Sequence, residues 1–338
     1  MNELAAILRH LNTSSAPSVL ATLVTVSGSS YRRPGARLLL THDRQRIGSI
    51  SGGCLEEDVL ARAARVFETG TPDLVTYDTT SENDLVWGVG LGCHGVVQVL
   101  IEKLPPRPAW AATAAANLAA HRPTALAVVY VSENPLHLGT YLAPLGATSV
   151  SESPNTPSTR IFLNTLPAPT ALLIFGAGDD ARPLVRLAKE LGWHVTVADP
   201  RRDFATAERF PLADRLIIAP ADELTARAAT IPHALAVVMT HHYVHDVPIL
   251  RDLLTSPDFR YIGLLGPKKR AERILADLRQ SGATFQPDAL ARLHAPVGLD
   301  LGAETPEDVA LSIVAEIRAF LSQRDARPLR DRTQPIHS

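Results

Sequence analysis

The sequence predicts an α/β fold in which a C-terminal Rossmann-like, doubly wound parallel sheet follows an N-terminal α+β domain. Three observations predict it. From Ala171 onward, short apolar strand-like runs alternate with helical stretches, the pattern of a parallel sheet wound on both sides. The first of these junctions, Phe175-Gly176-Ala177-Gly178-Asp179-Asp180-Ala181, has the G-x-G-x-x-A form directly after a strand and directly before a helix. In the first half, β-branched apolar runs end in Ser/Gly turns and lead into further strand-like runs, the opening of a β-meander.

Taken in order, Val19 to Val26 reads as a strand closed by Ser27-Gly28-Ser29-Ser30, and Arg37 to Thr41 as the next. Ser51-Gly52-Gly53-Cys54 then precedes Leu55-Glu56-Glu57-Asp58-Val59-Leu60, where acidic residues crowd the first turn of a helix, so Cys54 is expected at that helix's N-terminus. After a turn at Thr69 to Asp73, the glycine-rich loop Gly88 to Gly95 carries Cys93 and leads into a strand from Val96 to Ile101. Beyond Pro105-Pro106-Arg107-Pro108 an Ala-rich helix runs to about Ala120, followed by a strand from Ala125 to Val131. This last region weakly echoes residues 18–42. Ser149 to Thr159 has the Ser/Pro/Thr composition of a linker. The domains expected are therefore 1–105, its continuation with a linker over 106–167, the Rossmann-like domain over 168–324, and a polar, frayed tail over 325–338. Within the third, strands are expected at Leu172 to Phe175, His194 to Ala198, Arg215 to Ile218, Leu235 to Met239 and Tyr261 to Leu265, with a helix from Asp180 to Leu191.

A chain of 338 residues with 46% apolar content is long enough for two cores. Its net charge of −2, with both signs evenly mixed, provides no basic stripe for a phosphate backbone, so nucleic acid is not an expected partner. Met1-Asn2-Glu3-Leu4 lacks the features of a signal peptide, and no stretch approaches the ~20 apolar residues that span a bilayer. A soluble, cytoplasmic protein is the expectation, without membrane partners. Two cysteines are too few for a disulfide framework, and a reducing compartment keeps them as thiols.

Four groups of residues can carry chemistry. Gly176 and Gly178 let the backbone turn and approach a pyrophosphate, Ala181 allows close packing, the helix start offers free N–H groups, and Asp199 ends the next strand where a ribose-binding acid belongs. Asp179 and Asp180 oppose a dianion unless they point away. Gly263-Leu264-Leu265-Gly266-Pro267 runs into Lys268-Lys269-Arg270, so N–H groups and cations could jointly hold an anion; a solvated helix face fits the same residues. His241-His242-Tyr243-Val244-His245-Asp246 follows a strand at its carboxyl end. His241 and His245, four apart, could share a metal, but with no third ligand assured a hydrogen-bonded or exposed histidine cluster is the better reading. Cys54 and Cys93 both sit in glycine-rich turns; a helix dipole stabilises a thiolate, and a bare loop presents sulfur without obstruction.

Together these segments resemble the XdhC/CoxI family of accessory proteins for xanthine dehydrogenase and related molybdenum hydroxylases. The resemblance rests on Ser27 to Ser30 with Arg33-Pro34-Gly35-Ala36, on Ser51 to Glu56 and on Gly90-Leu91-Gly92-Cys93. It continues in Phe175 to Ala181, Asp199-Pro200-Arg201, Thr240-His241 with Asp246, Gly263 to Arg270, and Pro296 to Ala303 with Thr305-Pro306-Glu307. It implies a homodimer that binds the molybdenum cofactor, a pterin (molybdopterin) with a dithiolene and a terminal phosphate, protects it, and assists its sulfuration and insertion into xanthine dehydrogenase or a relative. It also implies a cysteine desulfurase as a further partner. Residue by residue, Cys54 and Cys93 become the sulfur-bearing or molybdenum-facing groups, the sense in which they are catalytic or metal-contacting. Ser51, Gly52, Gly53 and Gly92 shape the pocket. The sequence departs from the family at His94, where glycine is usual, and the added ring either crowds the loop or adds a donor near the metal.

Other readings stay open. Gly176 to Ala181 with Asp199 also suit an oxidoreductase using NAD(P), or a module that binds a nucleotide without chemistry; neither requires the cysteines. A metal-dependent hydrolase built on His241, His245 and Asp246 is a third, with an incomplete ligand set.

Overall fold

The computed structural model describes residues 2–53, 55–78, 95–147, 159–228 and 231–333. They form two compact units, Met1–Ala168 and Pro169–Ser338.

The first unit runs α1 (Asn2–Thr13), β1 (Ser18–Gly28), β2 (Arg37–Leu40), β3 (Arg46–Gly48), α2 (Glu56–Thr69), β4 (Asp73–Asp78), β5 (Gly95–Leu104), α3 (Ala109–Ala119), β6 (Thr124–Val131), β7 (Gly139–Ala143) and β8 (Arg160–Leu166). Two antiparallel sheets result, ordered β3-β2-β1-β5-β4 and β7-β6-β8. The first seven residues of β1 are all buried because both faces of the strand are covered. Val19, Ala21 and Leu23 pack with Val59, Ala63 and Val66 of α2, while Leu20 packs with Leu8, Trp110 and Leu126. A strand buried on two sides loses the apolar/polar alternation of a half-exposed one. The helix α1 adds to the expected elements; its Ile7, Leu8 and Leu11 form one apolar stripe that closes this second layer. The strands β4 and β8 are further additions, each held by pairing along a neighbouring strand. The echo between residues 18–42 and 125–142 corresponds to two antiparallel pairs, β1 with β2 and β6 with β7.

The second unit runs β9 (Ala171–Phe175), α4 (Ala181–Glu190), β10 (His194–Asp199), β11 (Arg215–Ile218), α5 (Ala221–Ala228), β12 (Ala234–Val238), α6 (Tyr243–Thr255), β13 (Phe259–Leu264), α7 (Lys268–Gln280), α8 (Pro287–Ala291), β14 (Leu293–His294) and α9 (Pro306–Ser322). The sheet is parallel throughout, in the order β11-β10-β9-β12-β13-β14, which is the doubly wound 3-2-1-4-5-6 arrangement. Alternate residues of β9 feed two cores. Leu173 and Phe175 pack with Ile249, Leu253 and Ile274 of α6 and α7, whereas Leu172 and Ile174 pack with Leu184, Ala188 and Ile313 of α4 and α9. A period of two in a wholly apolar run thus serves both layers. Thr305 caps α9 in a reciprocal pair with Asp308, and Pro306 takes the first helical position. Pro267 is the capping residue of α7, whose first helical position is Lys268. In the segment expected to fray, Leu329–Asp331 forms a 3₁₀ turn.

Candidate functional site

In the first unit the structure gives the Ser51-Gly52-Gly53 turn a support that the residue pattern does not reveal. Glu56, the first residue of α2, is 5% exposed and turns its carboxylate back toward the turn. One oxygen accepts from the Ser51 N–H at 2.9 Å and the Ser49 hydroxyl at 2.9 Å; the other accepts from the Ser51 hydroxyl and from the Gly53 N–H at 3.1 Å. The Ser51 Oγ in turn accepts from the Leu55 N–H at 3.1 Å. Burial of the Glu56 carboxyl opposes its ionisation, but the hydrogen bonds from Ser51 and Ser49 outweigh it and hold the group below the ordinary glutamate range. The acidic first turn of α2 therefore does more than oppose the helix dipole: Glu56 anchors the turn, and Asp58 binds Arg62 and the Tyr77 hydroxyl, each at 2.6 Å. Cys54, Gly92, Cys93 and His94 lie outside the described residues. Of their flanks, Gly95 is pressed against Ser29, whose carbonyl oxygen would sit 2.2 Å from an added Cβ, and Gly52 lies 3.6 Å by the same measure from the Tyr31 ring. The Ser29 to Tyr31 segment thus touches one flank of each cysteine loop.

In the second unit the C-terminal ends of β9 and β12 are adjacent, and here the order of strands reverses. Open α/β sheets bind ligands at such a switch point. Gly176 (φ 120°) passes so close to β12 that an added Cβ would lie 2.4 Å from the Met239 carbonyl oxygen. Among the described residues, the backbone N–H groups of Gly178, Asp179 and Asp180 meet no protein acceptor, while those of Ala181 and Arg182 already bond back to Gly178 and Asp179. Ala181 is fully buried under the turn. The result is three free donors at the start of α4, a cradle for an oxyanion.

Each of the two carboxylates that would oppose an anion has a partner. Asp179 meets the Arg209 guanidinium at 3.1 Å, and Asp180 meets His241 Nε2 at 2.6 Å across the crevice. Arg209 also donates to the Ala177 carbonyl, so it buttresses the turn from the far side of β10. Asp199, 0% exposed, is saturated by protein donors: Oδ1 accepts from Arg201 N (2.8 Å) and Nε (2.9 Å), and Oδ2 from Ala177 N (2.7 Å) and Arg201 Nη2 (2.8 Å). Burial works against its ionisation, yet these bonds hold its pKa below the ordinary aspartate value.

At the start of α7 the three cations separate in role. Lys268 and Lys269 are exposed and without an ion pair among the described residues. Arg270 instead grips the buried Asp246 at 2.6 and 3.0 Å, and Asp246 also accepts from the Thr240 hydroxyl at 2.5 Å. That triad ties the end of β12 to α6 and α7. The shared metal that the histidine spacing allows finds no ligand set among the described residues: Asp246 is occupied, His241 Nε2 meets Asp180, and the His245 ring lies tilted 5.0 Å from that of His242. Among the described residues no group of three His, Cys, Asp or Glu could hold a metal ion. The residues that sequence reasoning misses, Glu56, Arg201 and Arg209, act through long-range or backward-reaching contacts that carry no local motif.

A family model described as the XdhC Rossmann domain matches residues 172–317, and one described as the XdhC and CoxI family matches residues 12–78. A relative from Bacillus subtilis, named as a probable subunit of xanthine dehydrogenase, is 36% identical over 89% of this chain and 92% of its own. The chain belongs to the XdhC and CoxI family. Another relative, the Escherichia coli molybdenum cofactor insertion chaperone PaoD, is 23% identical over 89% of this chain and 82% of its own. A crystal structure described as a xanthine dehydrogenase from Bacillus halodurans superposes with a TM-score of 0.79 at 30% identity, covering 96% of this chain and 98% of that one. As a member of the XdhC and CoxI family the chain carries both halves of the family pattern, and among its described residues no helix is long and apolar enough to cross a membrane.

Proposed function

We propose that this protein binds the molybdenum cofactor as cargo, shields it, and assists its sulfuration and insertion into xanthine dehydrogenase or a related molybdenum hydroxylase. The observation that carries the reading is the three-donor cradle at Gly178, Asp179 and Asp180, which suits the terminal phosphate of a pterin cofactor, in a chain related over most of its length to a protein named as a molybdenum cofactor insertion chaperone. Lys268 and Lys269 add uncommitted positive charge at a second helix start. In the first unit, the Glu56-locked turn fixes the backbone on both sides of position 54, and a thiolate there and at Cys93 supplies the soft donors that molybdenum–sulfur chemistry favours. Cytoplasmic location, a homodimer and a cysteine desulfurase as sulfur source belong to the same proposal. The Rossmann topology also suits NAD(P), so oxidoreductase chemistry is the second reading.

The test is equilibrium binding of purified molybdenum cofactor to the wild-type protein and to the Cys54→Ala and Cys93→Ala variants, followed by activation of cofactor-free xanthine dehydrogenase. We expect tight binding by the wild type and a loss of ~10-fold or more in at least one variant, with a parallel loss of activation. Unchanged binding and activation in both variants overturns the roles of the cysteines; no cofactor binding by the wild type overturns the function.

A further inference from the structure

The end of β10 is the position at which a Rossmann site reads the ribose of its nucleotide, by an acid for a free diol or by arginine for a phosphorylated one. In this chain the acid is present but closed to a ligand. Asp199 is wholly buried, and its two oxygens already accept four N–H donors, three of them from Arg201. A ribose hydroxyl would have to displace a charge-assisted bond to reach it, which costs more than the neutral bond it would gain.

Arginine is present and open. The Arg201 guanidinium lies over Phe204, its Cζ 3.8 Å from the ring centroid, with one edge on Asp199. Its Nη1 has no protein acceptor among the described residues, and the side chain is 37% exposed. The next residue, Arg202, is exposed and without an ion pair among the described residues. Only Asp203 opposes them within this turn; it is exposed and equally unpaired. The nearby Arg209 is directed to the turn instead, where it donates to the Ala177 and Phe204 carbonyls and to Asp179.

From this arrangement we infer that the Rossmann unit takes a nucleotide whose ribose carries a phosphate, of the NADP class, with Arg201 and Arg202 as the phosphate readers. The inference rests on the cradle at α4 being a phosphate site. It makes the dinucleotide and the pterin phosphate alternative occupants of that cradle. Asp199 is a positioning residue here: it orients Arg201, as the outer partner of a metal-bound histidine orients the ring.

NADP⁺ and NAD⁺ differ only in that phosphate, so calorimetric titration of the full-length protein with each isolates the subsite. NADP⁺ is expected to bind about 10-fold tighter or more, the usual gain from a charge-assisted hydrogen-bonded pair. Arg202→Ala should remove most of that difference while leaving NAD⁺ unchanged, and Asp203→Asn should widen it. Equal or tighter binding of NAD⁺, no binding of either dinucleotide, or a preference untouched by both substitutions overturns the inference. Molybdenum cofactor binding, measured on the same preparations, separates the two proposals. Cofactor binding without dinucleotide preference removes this inference alone, and dinucleotide preference without cofactor binding removes the accessory function alone.

Discussion

Asp199 and Glu56 show how a single buried carboxylate can organise a glycine-rich turn. Each reaches backbone N–H groups that the turn leaves unpaired, Ala177 and Arg201 in one case and Ser51 and Gly53 in the other. Glycine turns are conformationally permissive, so an anchor of this kind is what makes one conformation persist. The Asp199 anchor has a pH signature. Folding depresses its pKa, so its contribution is present above the unfolded value of about 4 and is lost as pH falls through the folded one. In denaturant unfolding, Asp199→Asn should cost roughly 2–4 kcal/mol at pH 7, and the gap to wild type should close as both are titrated below about pH 4. A gap that stays constant down to about pH 2 would show that the carboxylate's charge is not what holds the turn. Neither anchor is legible as such in the sequence: Asp199 reads as a ligand group because strand ends in this fold often are, and Glu56 as one of three acids at a helix start.

The β9–α4 unit concentrates the elements' constraints. Gly176 carries a positive φ and faces the backbone of β12, whereas the nearest atom to an added Cβ at Gly178 is the Asp180 carboxylate, the far end of a side chain. Strain and overpacking at Gly176→Ala should together cost about 3 kcal/mol or more, seen as a large drop in thermal midpoint or in soluble yield. Gly178→Ala should leave stability within about 1 kcal/mol, since Asp180 can swing away, yet weaken phosphate-ligand binding because the backbone no longer admits close approach. If the two substitutions prove equally destabilising, the close approach of β9 to β12 is not the constraint on Gly176. The strand–turn–helix order here is readable because each part has its own local signature. At α7 the three consecutive cations read as one group, but helical geometry sends them apart: Arg270 goes inward to Asp246, and Lys268 and Lys269 stay in solvent.

At the scale of the molecule, two units with separate cores should behave as two cooperative systems. Residues 169–338 expressed alone are expected to give a cooperative calorimetric transition matching one of two seen in the full chain; an unfolded fragment would show that the second core depends on the first unit. The order of residues alone establishes the Rossmann half, the meander of β1 and β2, the turns at Ser51 and Gly176, and membership of a family, because periodicity, glycine placement and motif order are local properties of a chain. It leaves α1, β4 and β8 unannounced, because short elements are stabilised by the partners they pair or pack with rather than by their own composition. For the same reason the commitments of Asp199, Arg270, Asp180 and His241 emerge only in three dimensions. A charged side chain is free to meet a ligand or is bound to a neighbour according to which residues folding brings within about 3 Å of it, and those partners range from two positions away, for Asp199 and Arg201, to 61, for Asp180 and His241.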